Sequence, residues 1–227
     1  MTLNLFDQFN TPQLFNTSLL PAILLLPIMI VQIKTYRLKN NRLTTIYTWL
    51  IKKTMKTIMV KMPPLGQKWT PMLTALVLLL ATMNTTGLLP YTFTPTTQLS
   101  TTLALAAPLW LATVMTGMRN FPSRSLAHLL PEGTPTPLIP ILIFIETASL
   151  LIRPLALGVR LTANLTAGHL LLQLVSLAIM ATMSTTMAAS AFTATLLVLL
   201  TILEMAVALI QAYVFALLIT LYLQENA

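Results

Sequence analysis

The sequence contains no cysteine, which excludes disulfides, thiolate metal sites and cysteine nucleophiles together. Charge is almost as scarce: Asp, Glu, Lys and Arg make up only 8% of the 227 residues, and five of these are acidic. A water-soluble domain of this length needs far more charge to cover its surface. Two histidines without a thiol leave no basis for a structural zinc site, and no metal or cofactor is expected. No GxxxxGK[ST] phosphate loop occurs either, so nucleotide chemistry is not expected on this chain. Residues Met1–Asn10 lack the basic start of a secretory signal and the Arg-rich amphipathic pattern of a transit peptide. The expectation is synthesis inside the compartment where the protein works.

Apolar residues dominate instead, at 56% of the chain with a mean hydropathy of +0.81. That composition points to a multi-span α-helical membrane protein. The net charge of +8 is concentrated: nine of the thirteen basic residues lie between Lys34 and Lys68. A basic cluster can mark a nucleic-acid surface. This one is flanked by long apolar runs, so positive-inside topology and anionic lipid headgroups explain it better, and no nucleic-acid partner is expected.

The apolar runs divide the chain. Residues 12–33 are long enough for one span, about 33 Å at ~1.5 Å per residue, with Pro21 and Pro27 inside. Residues 43–60 place Leu43, Ile46, Tyr47, Leu50, Ile51, Met55 and Ile58 on one face, opposite Thr45, Lys52 and Lys56. That pattern predicts an amphipathic helix lying in the interface and ended by Pro63-Pro64. Trp69–Met118 carries no charge, and Gly87, Pro90 and Pro95 split it into spans at 71–89 and 99–118. A turn-rich loop over Arg119–Thr136, holding His128 and Glu132, follows. Residues 137–180 and 188–224 are each too long for an upright span, with a break near Thr182–Thr186. Each must bend or lie steeply tilted, and a long tilted hairpin is the preferred arrangement. The fold class is therefore all-α and polytopic, one membrane domain over 1–227.

Glu146, Arg153, Arg160 and Glu204 interrupt this apolar hairpin. A charge at mid-membrane costs about 2.5–3.5 kcal/mol or more, so such residues face a cavity or a partner. Glu146, Arg153 and Arg160 recur every seven residues, on one helical face, and Asn164 follows one turn later. Glu204, Ala208 and Gln211 form a polar stripe on the second segment, and small residues border both (Ala156, Gly158, Ala163, Ala167, Gly168, Ala206, Ala212). Small side chains let another helix come close. Arg160 and Glu204 could simply pair to hold a bundle. His169 could be a hydrogen-bonded packing residue, Gln173 reads as structural, and Arg153 could snorkel to the interface.

Arg160-Leu-Thr-Ala-Asn164-Leu-Thr-Ala-Gly168-His169-Leu170 closely resembles the signature of subunit a of the mitochondrial F-type ATP synthase. The resemblance extends to Met1–Phe9 (MTLNLFDQF), Gly87–Leu99 (GLLPYTFTPTTQL), His128–Pro140 (HLLPEGTPTPLIP) and Ile210–Tyr213 (IQAY). It implies a multi-pass protein of the mitochondrial inner membrane, whose hairpin lies tilted against a ring of c-subunits beside other stator subunits. Arg160 matches the essential arginine facing the ring. Glu146, His169 and Glu204 match positions in two proton half-channels, with Asn164 and Gln211 as polar neighbours. Arg153 lies outside the essential signature. On this reading the chain is no enzyme alone: it conducts protons while ATP is formed on other subunits. Two rivals remain from the residues themselves, a stand-alone ion-coupled transporter and a structural anchor. The first would favour inverted repeats, and no convincing repeat is visible.

Overall fold

A computed structural model describes residues 7–14, 17–31, 41–60, 66–89, 92–120, 122–127, 138–183 and 187–226. The expectations placed on Lys34, Arg37, Lys39, Lys61, Pro63-Pro64, His128, Glu132 and the centre of the 182–186 break lie outside these residues. Helices account for nearly all of the described structure: α1 Leu20–Val31, α2 Arg42–Met59, α3 Thr70–Gly87, α4 Leu99–Asn120, α5 Pro122–Ala127, α6 Ile139–Met183 and α7 Met187–Asn226. A two-residue antiparallel ladder, β1 Gln13–Leu14 with β2 Thr17–Ser18, precedes α1, so these residues of the 12–33 run are extended and the helix begins at Leu20.

Among the described residues, four helical stretches are long and apolar enough to cross a membrane: Gly66–Gly87, Leu99–Asn120, Ile139–Met183 and Met187–Glu225. The protein is an all-α polytopic membrane protein. Helices α6 and α7 run unbroken for 45 and 40 residues, with Pro154 carried inside α6. At ~1.5 Å per residue they are about 68 and 60 Å long, roughly twice a bilayer core. Helix α2 is amphipathic, but Ile46, Trp49 and Leu50 are exposed while Ile58 is buried. Its outward apolar residues therefore lie beside its lysines, with Lys53 4.8 Å from the centre of the Trp49 ring.

Packing groups the chain into two compact units. The first joins Met1–Ile33, Leu78–Leu99 and Leu161–Tyr213. Within it the cross-pairs of α6 and α7 have antiparallel register: Thr182 meets Thr193 through their hydroxyls at 3.4 Å, and His169 meets Glu204. Leu80, Leu161, Leu165, Ala208 and Ala212 are almost fully enclosed. The turn after α3 needs Gly87, because a Cβ there would lie 2.0 Å from Thr94 Cγ2. Thr92 Oγ1 donates toward the carbonyls of Thr86, Gly87 and Leu89, covering acceptors that the helix end leaves open.

The second unit joins Lys34–Val77, Ser100–Arg160 and Val214–Ala227. Helix α4 buries Thr102, Ala106, Leu109, Thr113 and Gly117, a stripe of mostly small side chains at helical spacing. Gly158 of α6 receives the Leu103 side chain, and a Cβ there would lie 2.9 Å from Leu103 Cδ2. Many threonines across both units return their hydroxyls to carbonyls three or four residues earlier, as Thr85, Thr113 and Thr166 do. Such back-bonding lets a threonine-rich sequence remain in an apolar medium without an orphaned hydroxyl.

Candidate functional site

The first unit holds a buried acidic centre. Glu204, on α7, has a side chain only 4% exposed, and His169, on α6, one that is 14% exposed. His169 Nδ1 stands 3.6 Å from Glu204 Oε1, a contact longer than a hydrogen bond. Neither Glu204 oxygen has a hydrogen-bond partner among the described residues, and the same holds for His169 Nε2 and Gln173 Oε1. Buried polar atoms are normally satisfied, and unmatched ones concentrate where a site exchanges protons, water or ions. The carboxyl comes this close to α6 because residue 168 is glycine. A Cβ on Gly168 would stand 2.8 Å from Glu204 Oε1 and 3.1 Å from its Cδ.

Beside this pair lies a cavity of about 740 Å³, wholly within the first unit. Gln8, Asn10, Thr92, His169, Gln173 and Thr201 supply its polar lining. His169 thus belongs both to the cavity wall and to the contact with Glu204. Gln173, which the sequence suggested was structural, lines the same wall one turn beyond His169.

Asn164 is exposed on α6, between the exposed Ala163 and Ala167, and Gln211 is half-buried on α7. In the second unit Arg160 is exposed beside Ala156 and Val159, and Glu146 is half-buried. No described residue forms an ion pair with Arg160 there. Arg153 has a partner that sequence reasoning missed: it hydrogen-bonds and pairs with Glu225, and its guanidinium lies 5.2 Å from the centre of the Tyr222 ring. Sequence reasoning also missed Asn84, on α3, which is 1% exposed and donates to the Ala208 carbonyl of α7 at 3.2 Å. Its signal was visible, as an amide inside an uncharged apolar run. Among the described residues no cluster of His, Asp and Glu could hold a metal ion.

The sequence model of the ATP synthase A chain family matches residues 15–224. Among curated proteins, those named ATP synthase F(0) complex subunit a from Struthio camelus, Gallus gallus and Salmo salar are 60%, 61% and 56% identical. Each similarity runs over 226 residues and covers 100% of both chains. On that full-length similarity, the chain belongs to the ATP synthase A chain family.

Proposed function

We propose that this chain is the proton-conducting stator subunit of the membrane sector of a mitochondrial inner-membrane ATP synthase, acting against a rotating ring of c-subunits. The observation that carries the proposal is His169, which joins a polar cavity to a buried carboxyl that has no fixed hydrogen bond. A structural ion pair is better served by saturated hydrogen bonds. A proton carrier must keep lone pairs free for the proton it accepts. Water in the cavity would deliver protons to His169 and Glu204, and Glu204 would pass them to a carboxylate on the ring. Glu146 would line the second half-channel, with Asn164 and Gln211 as polar neighbours along the hairpin.

Arg160 supplies the barrier between the two paths. An arginine guanidinium holds its charge in a protein, so it cannot relay a proton. Exposed among small residues, it can meet a ring carboxylate, favour its ionised form and repel protons that would leak straight across. Each charge moved through the full potential yields about 2.3 kcal/mol per 100 mV, delivered to the ring as rotation. The relatives' names supply the partners for this reading, the other subunits of an F(0) complex.

The test is proton-driven ATP synthesis by complete reconstituted complexes carrying Arg160→Ala. Synthesis should be abolished in normally assembled complexes, with passive proton leak. Normal synthesis would overturn the assignment. Replacing Arg160 and Glu204 together by apolar residues tests the anchor reading, because an anchor would still support coupling.

A further inference from the structure

We infer that Asn84 is a positioning residue of the proton path, holding α3 against α7 so that the Glu204 carboxyl stays fixed beside His169. The inference rests on the reading of Glu204 as a proton carrier. Asn84 lies inside an uncharged helix at 1% exposure, where an amide without a partner would be costly. Its Nδ2 crosses to the main-chain oxygen of Ala208, 3.2 Å away. A helical carbonyl has a second lone pair free after accepting from its own helix, so this bond adds to α7 without breaking it.

A short amide reaches another helix's backbone only where that helix presents small side chains. Ala208, the acceptor, and Ala212, one turn on, are both 0% exposed, so α7 carries only methyl groups at these enclosed positions. The acceptor's position gives the bond its meaning. Ala208 follows Glu204 by four residues, one turn along the same face of α7. On the α6 side Gly168 leaves room for the carboxyl and His169 faces it. Glu204 itself has no hydrogen bond to fix it among the described residues, so its position depends on the helices around it. Asn84 is the side chain that ties α3 to this stretch of α7. Its Oδ1 is also buried and has no partner among the described residues.

The titratable group facing Glu204 is His169 of α6, whereas the amide that α3 brings to the next turn of α7 cannot titrate. Asn84 therefore sets geometry and polarity without competing for the proton.

The experiment measures proton-driven ATP synthesis by complete complexes in liposomes, at fixed membrane potential, against the proton concentration on the cavity side. Rates are normalised to assembled complex. Asn84→Leu keeps the volume and removes the donor, and should cost roughly three- to tenfold in maximal rate or in half-saturating proton concentration. Asn84→Gln keeps the amide and should recover most of that loss. Where Asn84→Leu lowers assembly too far to measure, Asn84→Asp supplies the same contrast, matching the shape without the permanent amide donor. Wild-type proton dependence in Asn84→Leu, or equal impairment of the Gln and Asp variants, would overturn the inference. Glu204→Gln, run in parallel, separates the two claims. If that variant synthesises ATP normally, the reading of Glu204 fails. If it is inactive while Asn84→Leu is normal, only the role of Asn84 fails.

Discussion

Helices α6 and α7 meet through two polar pairs, one in each unit, and the pairs are built on opposite plans. Arg153 and Glu225 are 26% and 43% exposed, hydrogen-bonded to each other, with an aromatic ring near the guanidinium. Glu204 is buried and His169 14% exposed; they stand 3.6 Å apart, and neither carboxyl oxygen has a hydrogen-bond partner among the described residues. The more exposed pair is hydrogen-bonded and the more buried pair is open. Stability alone would predict the reverse, since unmet polar atoms cost most where water is excluded. An open buried carboxyl is maintained by its surroundings, here Gly168 on one side and the Asn84-braced turn of α7 on the other. That is what a group needs if it must accept and release a proton without breaking a stronger bond each time.

The comparison breaks most sharply at Glu204. Glu204→Gln keeps size and polarity but cannot carry the proton. Proton-driven synthesis per assembled complex should fall by roughly a hundredfold or more, the scale of a lost proton-transfer group. Complex abundance, read by native gel, should remain near normal because the amide can still occupy the site. A variant that keeps its synthesis rate while losing assembly would make the buried pair structural after all.

Gly168→Ala sharpens the comparison without altering any polar group. The added methyl would meet the Glu204 carboxyl at 2.8 Å, and something must shift. Overpacking of this kind costs about 1–3 kcal/mol. The carboxyl is the end of a flexible side chain, so it would move before the backbone does. Synthesis should drop about tenfold while helix content by circular dichroism is unchanged. An unaffected rate would show that Glu204 tolerates displacement, and that its closeness to His169 is incidental.

Much of this architecture was legible in the sequence, for physical reasons. Long uncharged runs leave little choice but membrane helices, and the spacing of Gly87, Pro90 and Pro95 divides one such run where the chain turns. The length of α6 and α7 was readable because nothing polar enough to end a helix occurs within them. The candidate site residues stood out as charges in apolar sequence. Their partners did not. His169 meets Glu204, and Arg153 meets Glu225, through the register of a hairpin that periodicity on one helix cannot supply. Gln173 was judged by its angle from Arg160, yet the cavity it lines is built partly from Gln8, Asn10, Gly87 and Thr92, far away in sequence. Asn84 looked like one polar residue in a span, and only the approach of Ala208 gives it a role. The first span differed for another reason: Gln13–Ser18 lacks the strongly apolar character that begins at Leu19, and it forms a small ladder instead of a helical turn.

Arg153 and Glu225 should give the smallest effect. Their exposure lets solvent screen the pair, which limits it to about 0–1 kcal/mol. Stacking on Tyr222 adds a comparable amount at an exposed site, about 0.5–1 kcal/mol. Glu225→Gln removes the charge but leaves an amide that can still accept from the guanidinium, and Arg153 keeps its ring contact. Synthesis should therefore stay within about twofold of the unmodified complex, with at most a small loss of thermal stability. Arg153→Leu removes both contacts at once and should lower stability further, again without a selective loss of proton transport. A collapse of synthesis in Glu225→Gln, with assembly intact, would erase the contrast between the two pairs. It would place Glu225 on the proton path and leave only Tyr222 to account for a purely structural Arg153.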